Sequence, residues 1–257
     1  MRGISNTVKH LLIINVIMFI GTMAVGNNGD LFYSWFALYF PKNELFQPWQ
    51  IFTHMFMHGG ASITNFSIMH ILFNMFALWM FGTPVERQLG SKKFLFIYLS
   101  AGLGAVLFQL GYYYFNYLPI YSDLIDSGLT SDQIVQMFTS NKAIDGIGSG
   151  QFAMLKEAFP IYNASMVGAS GCIMGILAAF GMMNPEAKLM LIFLPIPIKA
   201  KYFIPAIIIL DLISGLTGQS FFSPSNTAYM AHVGGALTGF VIMYFWKKDQ
   251  FNKHRWN

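Results

Sequence analysis

The sequence predicts an all-α membrane protein: a bundle of six transmembrane helices with both termini on the cytoplasmic side. Composition, six apolar runs of spanning length and a lopsided placement of basic residues predict it. Of 257 residues, 55% are hydrophobic and only 10% charged, against roughly 25% charged in soluble domains. A helical span needs about 20 apolar residues. Candidate runs lie at about 9–25, 68–85, 93–116, 168–183, 200–216 and 230–246. The chain 1–257 reads as one membrane domain with long loops at about 26–67 and 117–167.

The first run lacks a small-x-small exit and reads as a retained span rather than a cleaved signal. Between the fourth and fifth runs, "NPEAKLMLIFLPIPIKAK" (184–201) has a short apolar centre and helix-breaking prolines. It is expected to be an interfacial hairpin, not a span. The one cysteine, Cys172, excludes an intramolecular disulfide framework.

Six spans put both termini on one side. That side holds Arg2, Lys9, Arg87, Lys92, Lys93, Lys188, Lys199, Lys201, Lys247, Lys248, Lys253 and Arg255, while the other holds Lys42, Lys142 and Lys156. Basic residues favour the cytoplasmic side, so the long loops are expected outside. The net charge of +4 is thus an orientation signal, with no nucleic-acid partner implied. The loop at 117–167 carries Asp123, Asp126, Asp132, Asp145 and Glu157 against two lysines, and is expected to be a solvated surface excursion.

The second, fourth and sixth runs each carry polar residues near the outer end: His70 with Asn74, Ser170, and His232. His70 lies 16 residues before Glu86, Ser170 14 before Asn184, and His232 15 before Lys247. At 1.5 Å per residue each stands roughly 21–24 Å above the cytoplasmic end. Ionisable groups in lipid are expensive and mark function. A serine and a histidine at one depth can supply a nucleophile and its general base, while His70 and Asn74 can donate to an oxyanion.

The run "SMVGASGCIMG" (165–175) sets Ser170 among small residues, with Gly171, Gly175 and Ala179 at four-residue spacing. "AHVGGALTG" (231–239) repeats that spacing at Gly235 and Gly239, one turn after His232. Glycine-lined helices can approach closely, which would bring Ser170 to His232.

Together "HILFN" (70–74), "ERQLG" (86–90), "GASG" (168–171), "LPIPIKA" (194–200) and "AHVGGALTG" resemble the rhomboid intramembrane serine proteases. The resemblance implies the six-helix rhomboid fold and a Ser170–His232 dyad. Its oxyanion would be held by His70, Asn74 and the Ser170 backbone N–H. Its substrates would be single-pass or multi-pass membrane proteins in the lipid bilayer, cut near their extracytoplasmic boundary, with no cofactor or metal. It also implies a multi-pass protein of the cytoplasmic (inner) membrane, a first loop partly in the outer leaflet, and a structural role for Glu86 and Arg87. The aromatic patches "WFALYF" (35–40) and "FQPWQIF" (46–52) suit that loop.

Three departures stand out. Met174 replaces a tyrosine that stacks on the histidine in many members. Trp49-Gln50 replaces a Trp-Arg pair, with the expected loss of an anchor. "GGASIT" (59–64) is inserted before His70. Other readings stay open. A metalloprotease is disfavoured because in "HMFMH" (54–58) Met55 stands where H-E-x-x-H needs its glutamate; His54 and His58 are expected at the interface or bonded to backbone. A small transporter and a catalytically silent rhomboid-like binding protein are the alternatives from other classes. Asp211, within the fifth run, could orient His232 or serve only as a structural hydrogen-bond partner.

Overall fold

The computed structural model describes residues 3–26, 29–59, 65–191, 194–221 and 227–253. The terminal Arg2 and Arg255, and nearly all of the inserted GGASIT, lie outside the described residues. Helix α1 (Asn6–Ala24) has no side-chain cap of its own at Ser5. Glu86 supplies it from another helix. Its carboxylate accepts from the Thr7 N–H at 2.9 Å and the Val8 N–H at 3.0 Å, and also from the Ser5 and Ser91 hydroxyls at 2.5 and 2.7 Å. These N–H groups have no partner within α1, and an anion suits the positive end of the helix. Arg87 donates to the Gly3 carbonyl, so the ERQLG segment fastens the start of α1.

Helix α2 (Asp30–Phe36), strand β1 (Leu38–Tyr39), helix α3 (Gln50–Thr53) and a 3₁₀ turn (His54–Phe56) make up the described first loop. Helix α4 (Asn65–Ala77) continues through a π-helical turn (Leu78–Gly82) into α5 (Thr83–Leu89). Pro84, without an N–H, follows that turn, and a widened turn accommodates the carbonyl it leaves unpaired.

Helix α6 runs from Ser91 to Asp126, 36 residues, about 54 Å at 1.5 Å per residue. It therefore overshoots a hydrocarbon core of about 30 Å and continues ten residues past the predicted end of the third span. Beyond it stand α7 (Ser131–Ser140) and α8 (Ser149–Tyr162). The region expected to be a solvated excursion is instead a folded helical cap. Its amphipathic helices bury Ile134, Met137, Phe138, Leu155, Ala158 and Tyr162 against Tyr117 and Leu124 of α6 and Phe40 of the first loop. The acidic residues occupy the outer faces, which is why charge alone suggested a loop. A two-residue strand β2 (Ser165–Met166) then pairs antiparallel with β1, Leu38 opposite Met166 and Tyr39 opposite Ser165.

Helix α9 (Ser170–Met183) is short, and residues 171–180 are all buried. A helix apolar all round belongs at the centre of a bundle. Its neighbours are α6 and α11 (Tyr229–Lys253), and small side chains line both contacts. A Cβ on Gly171 or Gly175 would lie 2.5 and 2.3 Å from the Ala105 and Ala101 methyls of α6. On the other side, a Cβ on Gly239 would lie 2.3 Å from the Gly175 carbonyl. The predicted glycine stripes are this interface.

After α9, strands β3 (Lys188–Leu191) and β4 (Leu194–Lys199) form the expected hairpin, and Glu186 pairs with Lys199 and Lys201 at 2.6 and 2.5 Å. Helix α10 (Ala200–Thr217) follows. Among the described residues four helical segments are long and apolar enough to cross a membrane: Asn6–Ala24, Ile68–Leu89, Ser91–Asp126 and Ala200–Thr217; Ser170–Met183 is a shorter apolar helix. The chain is a multi-pass integral membrane protein.

Candidate active site

The segment entering α9 is held from three directions. The β1–β2 pairing fixes Ser165 and Met166, and the Gly168 N–H donates to the His54 carbonyl at 2.9 Å. Gly168 itself has φ +126° and packs on His70. A Cβ there would lie 3.2 Å from His70 Nε2 and 3.7 Å from Ser170 Oγ, so the imidazole and the hydroxyl converge on one point. Only glycine combines that backbone conformation with so close an approach. Ser170 is the first residue of α9, a helix N-terminus whose N–H groups have no intrahelical partner.

His70 and Asn74 stack one turn apart on α4. The Asn74 amide donates one N–H to the His70 carbonyl at 2.8 Å, leaving it a second N–H. Asn74 is buried, whereas His70 is half-buried.

His232 lies in the first turn of α11. The neighbouring Ala231 N–H is shared at that helix start between the Ala228 carbonyl at 3.0 Å and Gln109 Oε1 of α6 at 3.2 Å. The His232 Nδ1–H donates to Asp211 Oδ2 at 2.7 Å. Asp211 is completely buried and the His232 side chain is 12% exposed. The structural hydrogen bond expected of Asp211 is therefore made to the candidate base itself.

Four residues that the sequence left undervalued complete the surroundings. Gln50, where an anchor was expected to be missing, is fully buried and is the anchor of the first loop. Its amide nitrogen donates to the Ser34 and Leu45 carbonyls, both at 3.0 Å, and its Oε1 accepts from the Gln47 and Tyr39 N–H groups at 3.1 and 3.3 Å. Both loop histidines are buried, and His54 makes the expected bond to backbone. His54 Nδ1 bonds the Gln50 carbonyl at 2.8 Å, and burial, opposed in part by that bond, pushes its pKa down to about 4. His58 Nε2 meets Asn15 Oδ1 at 2.9 Å, and its ring lies edge-on to His70, centroids 5.3 Å apart. Burial first, and then His70, lower the His58 pKa to about 3. Gln109 is the fourth; a glutamine in an apolar helix carries little signal until its partner is known. Met174 is buried in the core around α9. Among the described residues no group of three His, Cys, Asp or Glu side chains is arranged to hold a metal ion.

A family model described as the Rhomboid domain matches residues 45–248. Curated proteins are similar as well. The presenilin-associated rhomboid-like protein, mitochondrial, of Rattus norvegicus is 30% identical over 180 residues, and that of Homo sapiens 29%. Protein A of the same name from Danio rerio is 29% identical. Each match covers 70% of this chain but only 34–35% of the relative, so the chain aligns with about a third of these proteins' length.

Proposed function

The chain belongs to the rhomboid family, and on that premise we propose that it is an intramembrane serine endopeptidase. Its substrates are membrane-anchored proteins, cut near their extracytoplasmic boundary. The observation that carries this reading is the backbone contact between α9 and α11. A Cβ on Gly235 would lie 2.0 Å from the Gly171 carbonyl, so the residue beside Gly171 and the residue one turn before Gly235 sit at the same end of this tightly packed helix pair. Those residues are Ser170 and His232.

In this reading His232 takes the Ser170 proton as the hydroxyl oxygen attacks the scissile carbonyl. The resulting oxyanion receives hydrogen bonds from His70, from the second Asn74 N–H and from the Ser170 backbone N–H. Collapse breaks the C–N bond, with His232 returning the proton to the leaving amine. A water molecule then attacks the acyl ester, again through His232, and releases Ser170. Convergence of His70 and Ser170 at Gly168 supports the oxyanion assignment. The shortness of α9 supports water access, since 14 residues rise only about 21 Å and leave polar depth above Ser170.

The six spans in this reading are α1, α4 with α5, α6, α9, α10 and α11, forming one domain with cytoplasmic termini in the cytoplasmic membrane. The basic-residue asymmetry supports that orientation.

The test is labelling by a serine-directed fluorophosphonate, together with cleavage of a panel of purified single-span proteins. Wild type is expected to label and cleave, and Ser170→Ala to do neither. His232→Ala should lower cleavage by roughly 10³-fold or more. Labelling that persists in Ser170→Ala removes Ser170 as the nucleophile, and flux through proteoliposomes that survives it favours a transporter.

A further inference from the structure

We infer that Asp211 is a positioning residue for His232, fixing the tautomer and direction of its imidazole and stabilising the imidazolium formed during proton transfer. This rests on the reading of Ser170 as nucleophile and His232 as base.

The contact joins two helices, α10 and α11, at 2.7 Å between Oδ2 and Nδ1. An ionised carboxylate can only accept, so the hydrogen on this bond belongs to Nδ1. Neutral His232 then carries its lone pair on Nε2, the atom a general base needs on the side away from Asp211. When Nε2 takes a proton, the bond becomes an ion pair shielded from solvent, because Asp211 is completely buried. Such charge-assisted bonds are stronger than neutral ones, and more so at low dielectric. The carboxylate thus offers more to the charged imidazole than to the neutral one, which favours the transition state over the resting enzyme.

A purely structural tether between α10 and α11 would not need an acid there. The same helix ends already meet at Gly215, where a Cβ would lie 2.9 Å from the Met230 methyl and 3.3 Å from Tyr229 Cβ. One turn on from Asp211, the Ser214 hydroxyl is spent on its own helix, donating to the Leu210 carbonyl at 2.8 Å. A buried acid in a membrane helix is costly unless paired, and here its pairing is with the candidate base.

The experiment compares purified full-length wild type, Asp211→Asn and Asp211→Glu in one detergent or nanodisc preparation. Readouts are kcat and KM on a substrate cleaved by wild type, the rate of fluorophosphonate labelling, thermal stability, and the proton spectrum of the imidazole N–H region. Wild type is expected to show a far-downfield N–H resonance that disappears in Asp211→Asn and in His232→Ala. Asp211→Asn should lose about 10²–10⁴-fold in kcat, with KM within about threefold and labelling slowed in parallel. Asp211→Glu, keeping the charge, should recover part of the kcat. Folded Asp211→Asn with wild-type kcat overturns the inference and leaves the protease reading intact. If Asp211→Asn does not fold, the wild-type resonance and the kcat of Asp211→Glu decide. Absence of the resonance, or an Asp211→Glu no better than background in a folded protein, overturns the inference. A wild type that neither labels nor cleaves overturns the protease reading and this inference with it.

Discussion

Gly235 of α11 stands so close to the Gly171 carbonyl of α9 that an added methyl group would lie 2.0 Å from that oxygen. Backbone on both sides leaves nothing flexible to yield, so the helices must part. Gly235→Ala is expected to cost about 1–3 kcal/mol in stability and to lower fluorophosphonate labelling of Ser170 more than tenfold even where the protein stays folded. Gly111→Ala is the control. Nothing lies within 4 Å of that Cβ position, and alanine favours the helix by roughly 0.5–1 kcal/mol. Thermal melts and labelling rates check both; a Gly235→Ala variant that labels at the wild-type rate would separate helix approach from reactivity.

Gln50 makes a second prediction because both ends of its amide are used. Gln50→Ala leaves two carbonyls and two N–H groups without this partner, at about 1–3 kcal/mol for each group left buried and unpaired. Gln50→Glu has the same shape but loses the donors to Ser34 and Leu45 and sets a carboxylate against their carbonyls. It should therefore be no milder than Gln50→Ala. Limited proteolysis should cut residues 29–59 faster in both variants, and an unaltered rate in Gln50→Glu would show that the amide donors carry none of the anchoring.

The membrane class, four of the six predicted spans and the α9–α11 interface were legible because lipid leaves a strong composition signal and close backbone approach demands small residues at fixed spacing. The candidate site was legible for the same reason, since Ser170, His70 and His232 are polar residues in otherwise apolar runs. What stayed hidden, or for Asp211 undecided between two roles, depended on partners distant in sequence. Asp211 and His232 are 21 residues apart on different helices, Gln50 serves backbone groups that any sequence would have, and Gln109 caps a helix start 122 residues away. The α7–α8 cap was missed because its charged faces outweigh a short apolar stripe that finds its cover only on α6 and Phe40.

Acid should destabilise the fold through the first-loop histidines. His54 and His58 stay neutral in the folded protein down to about pH 4 and about pH 3, while in the unfolded chain they take up protons near pH 6.5. Below 6.5 the unfolded state binds more protons, so stability falls as pH drops and stops falling only once the folded forms also protonate. Across that window His54 contributes up to about 3 kcal/mol and His58 up to about 5 kcal/mol. Melting temperature should decline steadily from pH 7 to pH 4.5. His58→Asn should have a flatter profile than wild type, even if it is less stable at pH 7. An equal slope in the two proteins would put the acid sensitivity elsewhere.

Helix α6 permits a test of orientation within a single rigid element. Lys92 and Asp126 are both exposed and sit at its two ends, about 51 Å apart along the axis. That exceeds the hydrocarbon thickness of about 30 Å, so an α6 that crosses the membrane brings the two residues out on opposite sides. The native Cys172 is buried and should stay silent towards a membrane-impermeant maleimide, so single cysteines can be added to the natural chain. In intact cells Asp126→Cys should label at once and Lys92→Cys only after permeabilisation. The reverse order would turn the molecule over, move Ser170 towards the cytoplasmic face and reassign the side on which substrates are cut. Equal labelling of both in sealed cells would mean that α6 does not cross the membrane.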